Sequence, residues 1–236
     1  KIADFKRLLQ NPKLLLVGIF SQFIILPALT FAAIVIIKPH PSFALGMMMI
    51  AACPGGNVSN FFSKMAKGNA ALSVSLTAFA TVICLIMTPF NLQFYGGLYE
   101  PTNEILKTVE LNPFELFKLI LLILGIPIII GMTLNHFYEN VAKKIETVLK
   151  PFSMIVFLAL ITIAFYENIE IFLEYIHLVA ALVIFHNIGA YVIGFYSAKS
   201  FGLKKREQKT ISMETGIQNG GLGLLLIFQF FDGLGG

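Results

Sequence analysis

Residues 14–37 run for 24 positions without a charged side chain, and about 20 mostly apolar residues carry a helix across the hydrocarbon core of a bilayer. Residues 70–92, 114–134, 151–166 and 171–198 continue the pattern, the fourth short and the fifth holding Glu174 near its start. Two more segments are apolar but interrupted. Residues 43–52 meet Cys53-Pro54-Gly55-Gly56-Asn57 before residues 58–66 resume, and residues 210–215 meet Gly216, Gly220, Gly221 and Gly223 before residues 224–231. The pattern predicts five continuous helices and two broken ones, seven segments in all.

Composition supports a polytopic membrane protein. The chain is 57% apolar and 13% charged, about half the charge of an average soluble domain, with a mean hydropathy of +0.82. Two cysteines, Cys53 and Cys84, cannot staple a chain of 236 residues, and they read as small buried side chains. Net charge is +4, yet the basic residues fall between apolar runs rather than on one face, which argues against nucleic acid. Alternating the seven segments places residues 1–13, 64–69, 135–150 and 199–209 on one side, with 14 of the 17 basic residues, while eight of the 13 acids lie opposite. Cytoplasmic loops hold the excess of Lys and Arg, so that side is predicted to be inside, in the inner cell membrane. Lys204-Lys205-Arg206 is then an ordinary inner loop, residues 135–150 an amphipathic surface linker, and residues 98–113 an outer loop. The chain reads as a fragment of a longer protein.

Backbone groups freed by Pro and Gly in hydrocarbon need partners from protein, water or a ligand, so a broken helix at membrane depth predicts a binding site. Two of them in separate halves predict inverted repeats that meet near the midplane. Glu214 stands directly before the second break, and a buried carboxylate costs several kcal/mol unless it is compensated. Two readings of it are open: an intramembrane ligand, or the end of the inner loop with a lysine for partner. Asn57, Ser59 and Asn60 follow the first break, and Ser73, Thr77 and Thr81 recur every four residues on one helix face. Hydroxyls, amides and one carboxylate are hard ligands, although a Ser/Thr stripe also serves helix packing. Gly216 and Gly220 match a small-xxx-small pair, and His186-Asn187 reads as an interhelical hydrogen-bonding element. With no Ser-His-Asp set and no metal signature, the sequence gives catalysis no support.

The motifs Cys53-Pro54-Gly55-Gly56-Asn57-Val58-Ser59-Asn60, Gly68-Asn69-Ala70-Ala71-Leu72-Ser73 and Glu214-Thr215-Gly216-Ile217-Gln218-Asn219 resemble the bile acid:sodium symporter family along essentially the whole chain. The resemblance implies an all-α membrane transporter of about ten helices in two inverted repeats, with two broken, crossing helices and core and panel domains. This chain would lack the first two helices and the last. Residues 1–97 would belong to the first repeat, 98–112 to an outer loop and 113–236 to the second repeat, with panel helices at 113–134 and 151–167. One sodium would bind Ser59, Asn60, Ser73, Thr77 and Glu214. A second would bind Gln22, Glu214, Gln218 and the backbone carbonyls of Thr215 and Ile217. Asn219 would face a substrate cavity. The implied function is sodium-coupled symport of a small organic anion, such as a bile acid, by alternating access, with sodium as coupling ion and no other cofactor. An arsenite-type exporter using Cys53 and Glu214, a seven-helix receptor and, with least support, a membrane enzyme are the competing readings.

Overall fold

The computed structural model describes residues 12–109, 112–167, 169–231 and 233, and its regular elements are all helices. Most of the inner segment at 1–13, together with Glu110 and Asp232, lies outside the described residues. Helix α1 spans Pro12–Ile37, followed by α2 (Pro41–Ala52), α3 (Val58–Met65), α4 (Ala70–Leu98) and α5 (Glu100–Thr108). Then come α6 (Pro113–Phe137), α7 (Glu139–Glu167), α8 (Ile169–Ser200), α9 (Lys205–Gly216) and α10 (Gly220–Phe231).

Among the described residues four helices are long and apolar enough to cross a membrane: α1, α4, α6 and residues 179–200 of α8. Their burial sorts them. The most apolar stretches of α1 and α4 are 39% buried, against 11% for those of α6 and α8, so α1 and α4 are inner helices while α6 and α8 turn apolar side chains outward. Ile129 and Ile130 on α6 and Phe185 on α8 are exposed. Such a surface suits lipid, in which exposed apolar side chains carry no hydration penalty. The largest core gathers Phe23, Leu45, Met49, Leu92, Leu116 and Phe231 from α1, α2, α4, α6 and α10.

Proline and asparagine set the local geometry. Pro41 and Pro113 stand in the first turns of α2 and α6, where a missing N–H costs nothing. Asn69 and Asn112 cap α4 and α6 by accepting from Leu72 N at 3.2 Å and Phe114 N at 2.9 Å. Within α1, Pro27 cannot donate to the carbonyl of Phe23 four residues back. The helix widens there into a π turn at Ser21–Ile25, and Asn91 Nδ2 of α4 supplies the Phe23 carbonyl with a donor at 2.9 Å. Helix α6 repeats the device, with a π turn at Leu121–Gly125 just before Pro127.

Three expectations change. The inner linker at 135–150 is divided between the end of α6 and the start of α7, and α7 runs on through Pro151 into the short segment after it, carrying an ion pair between Glu139 and Lys143 at 3.1 Å. The outer connection contains helix α5. The second break is narrower than its glycines suggest, since α10 begins at Gly220 and only residues 217–219 are unwound. Gly223 is helical and lies against α2, where an added Cβ would meet Ile50 Cδ1 at 3.0 Å and Cys53 Sγ at 3.6 Å.

Candidate ion-binding site

The two breaks lie antiparallel against each other and complete each other's backbone. Gly56 N donates to Ile217 O at 2.8 Å and Asn219 N donates to Pro54 O at 2.8 Å, making the isolated bridge between Gly55 and Gln218. Three further groups find side chains: Gly55 N donates to Gln22 Oε1 at 3.1 Å, Gln218 Nε2 to Thr215 O at 2.7 Å, and Asn187 Nδ2 to Gly216 O at 3.2 Å. Such pairing is what unwound backbone requires away from water. Gly55 must be glycine here, because a Cβ would stand 2.8 Å from the Glu214 carbonyl oxygen and 2.9 Å from its Oε2.

Glu214, in the last turn of α9, is fully buried. Ser59 Oγ of α3 donates to its Oε1 at 2.6 Å, Thr77 Oγ1 of α4 lies 2.8 Å from Oε2, and Ser73 of α4 also donates to Oε1. None of these partners is a cation. The lysine offered as an alternative partner, Lys209, instead donates to Ala66 O at 2.9 Å. Asn60 Oδ1 lies 3.4 Å from Thr77 Oγ1, so Ser59, Asn60, Ser73, Thr77 and Glu214 come together as one oxygen-rich cluster. Thr81 turns back to its own helix, bonding Thr77 O at 2.7 Å.

Gln22, also fully buried, reaches the same place from the π turn of α1. Its Nε2 and the Oε1 of Gln218 are buried without hydrogen-bond partners, an arrangement costly in a closed site. The Thr215 and Ile217 carbonyls line the second break, each accepting one hydrogen bond and keeping a second lone pair. Asn219 caps α10, its Oδ1 accepting from Leu222 N at 3.1 Å. Ser21 was not singled out from the sequence, yet its Oγ lies 3.1 Å from Thr215 Oγ1; its adjacency to Gln22 inside an uncharged run was the available signal.

Beside the breaks lies a cavity of about 570 Å³ whose wall includes Phe43, Met47, Ile50, Leu182, His186, Asn187, Tyr191, Gln218 and Gly220. His186 Nε2 is bonded to Thr30 Oγ1 at 2.9 Å. With Asn187 on the Gly216 carbonyl, the His186-Asn187 pair does make interhelical hydrogen bonds. The small-xxx-small pair is half realised: Gly216 packs against Tyr191, whereas Gly220 faces open space.

The sequence profile of the sodium bile acid symporter family matches residues 1–175. The chain belongs to this family. It is 31% identical over 231 residues to an uncharacterized sodium-dependent transporter, YocS, of Bacillus subtilis, covering 98% of this chain and 69% of that one. It is 28% identical to the probable chloroplastic sodium/metabolite cotransporter BASS1 of Arabidopsis thaliana, over 98% of this chain and 55% of the relative. To the human ileal sodium/bile acid cotransporter it is 28% identical over 93% of this chain and 61% of the relative. The chain thus spans about half to two thirds of the length of these relatives. Membership makes it a multi-pass membrane protein of a sodium-coupled transporter family, and not an enzyme or a seven-helix receptor. Cys53, on which the metalloid reading turns, is fully buried beside Gly223, and no group of three or more His, Cys, Asp or Glu fit for a metal occurs among the described residues.

Proposed function

We propose that the whole protein couples sodium to the movement of a small organic anion across the cell membrane. The observation that carries this reading is the Glu214 carboxylate, fully buried where two broken helices meet and bonded by three hydroxyls but no cation. Hydroxyl donors stabilise a carboxylate only in part at such depth, and a small hard cation supplies the missing charge. One sodium would take Ser59, Asn60, Ser73, Thr77 and Glu214. The second would take Gln22, Glu214, Gln218 and the carbonyls of Thr215 and Ile217, which gives the unpartnered Gln218 Oε1 a role.

Sodium at these positions would tie α1, α3, α4 and α9 together and so favour one conformation. Coupling needs sodium and the substrate both to bind that conformation better than the other. The cavity wall is apolar apart from His186, Asn187, Tyr191 and Gln218, and the N-terminus of α10 opens on it at Gly220. An apolar organic anion suits both features. The human relative's name specifies bile acid, and this chain is proposed to take an amphipathic carboxylate or sulfonate of that kind. Asn219 stands between the wall residues Gln218 and Gly220 without lining the cavity itself; it would reach the anion with its Nδ2, its Oδ1 being committed to the cap. The two repeats and the core and panel domains are proposed with the same reading.

The test is uptake of a panel of organic anions into proteoliposomes holding the full-length protein, with sodium or choline outside. Uptake that rises with sodium is expected for the unaltered protein, and Glu214→Gln, which keeps the shape and removes the charge, is expected to abolish the sodium-dependent part. Sodium-dependent uptake near the unaltered level in that variant would overturn the assignment of Glu214 to the ion sites.

A further inference from the structure

One helical turn from the Glu214 centre, the same three helices meet a second time. On α9, Thr210 precedes Glu214 by four residues; on α3, Ser63 follows Ser59 by four; and Asn69, the N-cap of α4, precedes Ser73 by four. Residues four apart lie above one another on a helix face, so on α3 and α9 this second layer repeats the first, and the cap of α4 completes it. Its members are bonded to each other. Thr210 Oγ1 accepts from Asn69 N at 2.7 Å and stands 3.0 Å from Ser63 Oγ. Thr210 and Ser63 are both fully buried. The backbone fits as closely: a Cβ on Gly68 would lie 2.6 Å from Thr210 Oγ1 and 2.9 Å from both Ser63 oxygens.

We propose that Thr210, with Ser63 and Asn69, is a positioning set that holds the sodium ligands of α3, α4 and α9 in register around Glu214, a proposal that rests on the sodium reading above. The connection is continuous. Thr210 holds Asn69, the Asn69 carbonyl accepts from Ser73 N at 3.0 Å, and the Ser73 hydroxyl donates to Glu214. On the other arm, Ser63 shares α3 with Ser59, the second donor to the same oxygen. Lys209 on Ala66 O and Arg206, 3.4 Å from Gly68 O, tie the ends of the same segments. Ion ligands held by neighbours that are themselves bonded lose less freedom when the ion arrives, and loss of such outer partners weakens binding without touching a ligand.

The experiment uses purified full-length protein in detergent, with sodium chloride exchanged for choline chloride at constant ionic strength and the melting midpoint followed by a thiol-reactive dye. Stabilisation by a ligand that binds only the folded state yields its affinity. Thr210→Val keeps the volume and removes the hydroxyl; it is expected to raise the half-stabilising sodium concentration about three- to tenfold, the range that loss of one hydrogen bond spans. Thr210→Ser should restore it. Ser63→Ala, which leaves the bond between Thr210 and Asn69 intact, should give a smaller shift in the same direction and serves if Thr210→Val does not fold. A lower midpoint in choline with unchanged sodium dependence in Thr210→Val and Ser63→Ala would overturn the proposal and leave a purely structural tie. Absence of any sodium-specific stabilisation in the unaltered protein would overturn the sodium reading itself, and this proposal with it.

Discussion

At the scale of single residues, the hydroxyls of Ser73 and Thr77 separate an ion site from a packing stripe. Both point at Glu214, whereas Thr81, the third member of the stripe, bonds its own helix. The double variant Ser73→Ala, Thr77→Val removes two ligand oxygens while keeping or adding apolar bulk. Full-length protein carrying it is expected to need about tenfold or more sodium for half-maximal uptake; an unchanged sodium dependence would return the stripe to packing. Glu214 was legible in the sequence because an acid beside a glycine break is rare at membrane depth, and Ser73 and Thr77 were legible from their spacing. Thr210 and Ser63 were not singled out, although the same four-residue spacing relates them to Glu214 and Ser59. Hydroxyls within a turn of charged loop residues such as Lys209 and Lys64 carry no signal by themselves, and only the folded contacts distinguish them.

At the scale of elements, prolines and glycines gave the positions of irregularity but not its form. The Phe23 carbonyl that Pro27 leaves without its helical donor is met by a side chain 68 residues away in sequence, and no local pattern names it. Asn91 is buried, its Oδ1 without a partner and its Nδ2 on the Phe23 carbonyl. Asn91→Leu is expected to leave that carbonyl unsatisfied and to cost about 1–3 kcal/mol, read as a melting midpoint lower by about 2–4 °C for each kcal/mol. A midpoint equal to that of the unaltered protein would mean that the π turn finds another donor. Glycine density over-reads the second break because Gly223 serves close approach to α2 rather than unwinding. Charge marks the linker at 135–150 as surface, which its mostly exposed side chains match, but does not show that its greater part is helical. The Glu139 and Lys143 pair is what an exposed helix turn contains, so the same residues suit a helix that continues into the apolar stretch through Pro151.

At the scale of the whole molecule, hydropathy recovered the helical architecture because lipid-facing helices such as α6 must be apolar along their length. It could not show that the two breaks are partners, since Gly56 meets Ile217 across 161 residues of chain. That pairing has a consequence for how the protein is made. While the ribosome has delivered α2 and α3 but not yet α9, the Pro54 carbonyl and the Gly56 amide have no partner, and an unsatisfied backbone group in hydrocarbon costs several kcal/mol. The first broken helix therefore has no stable resting place in the bilayer on its own and must wait, sheltered by the insertion machinery or by water, until the second arrives. A chain stopped after Ser200 is expected to be degraded several-fold faster in pulse-chase than one carried through Phe231. Equal lifetimes would mean that the newborn first half finds shelter without its counterpart. Synthesis order thus becomes part of the architecture, with the membrane holding an unfinished hinge open until its other leaf emerges.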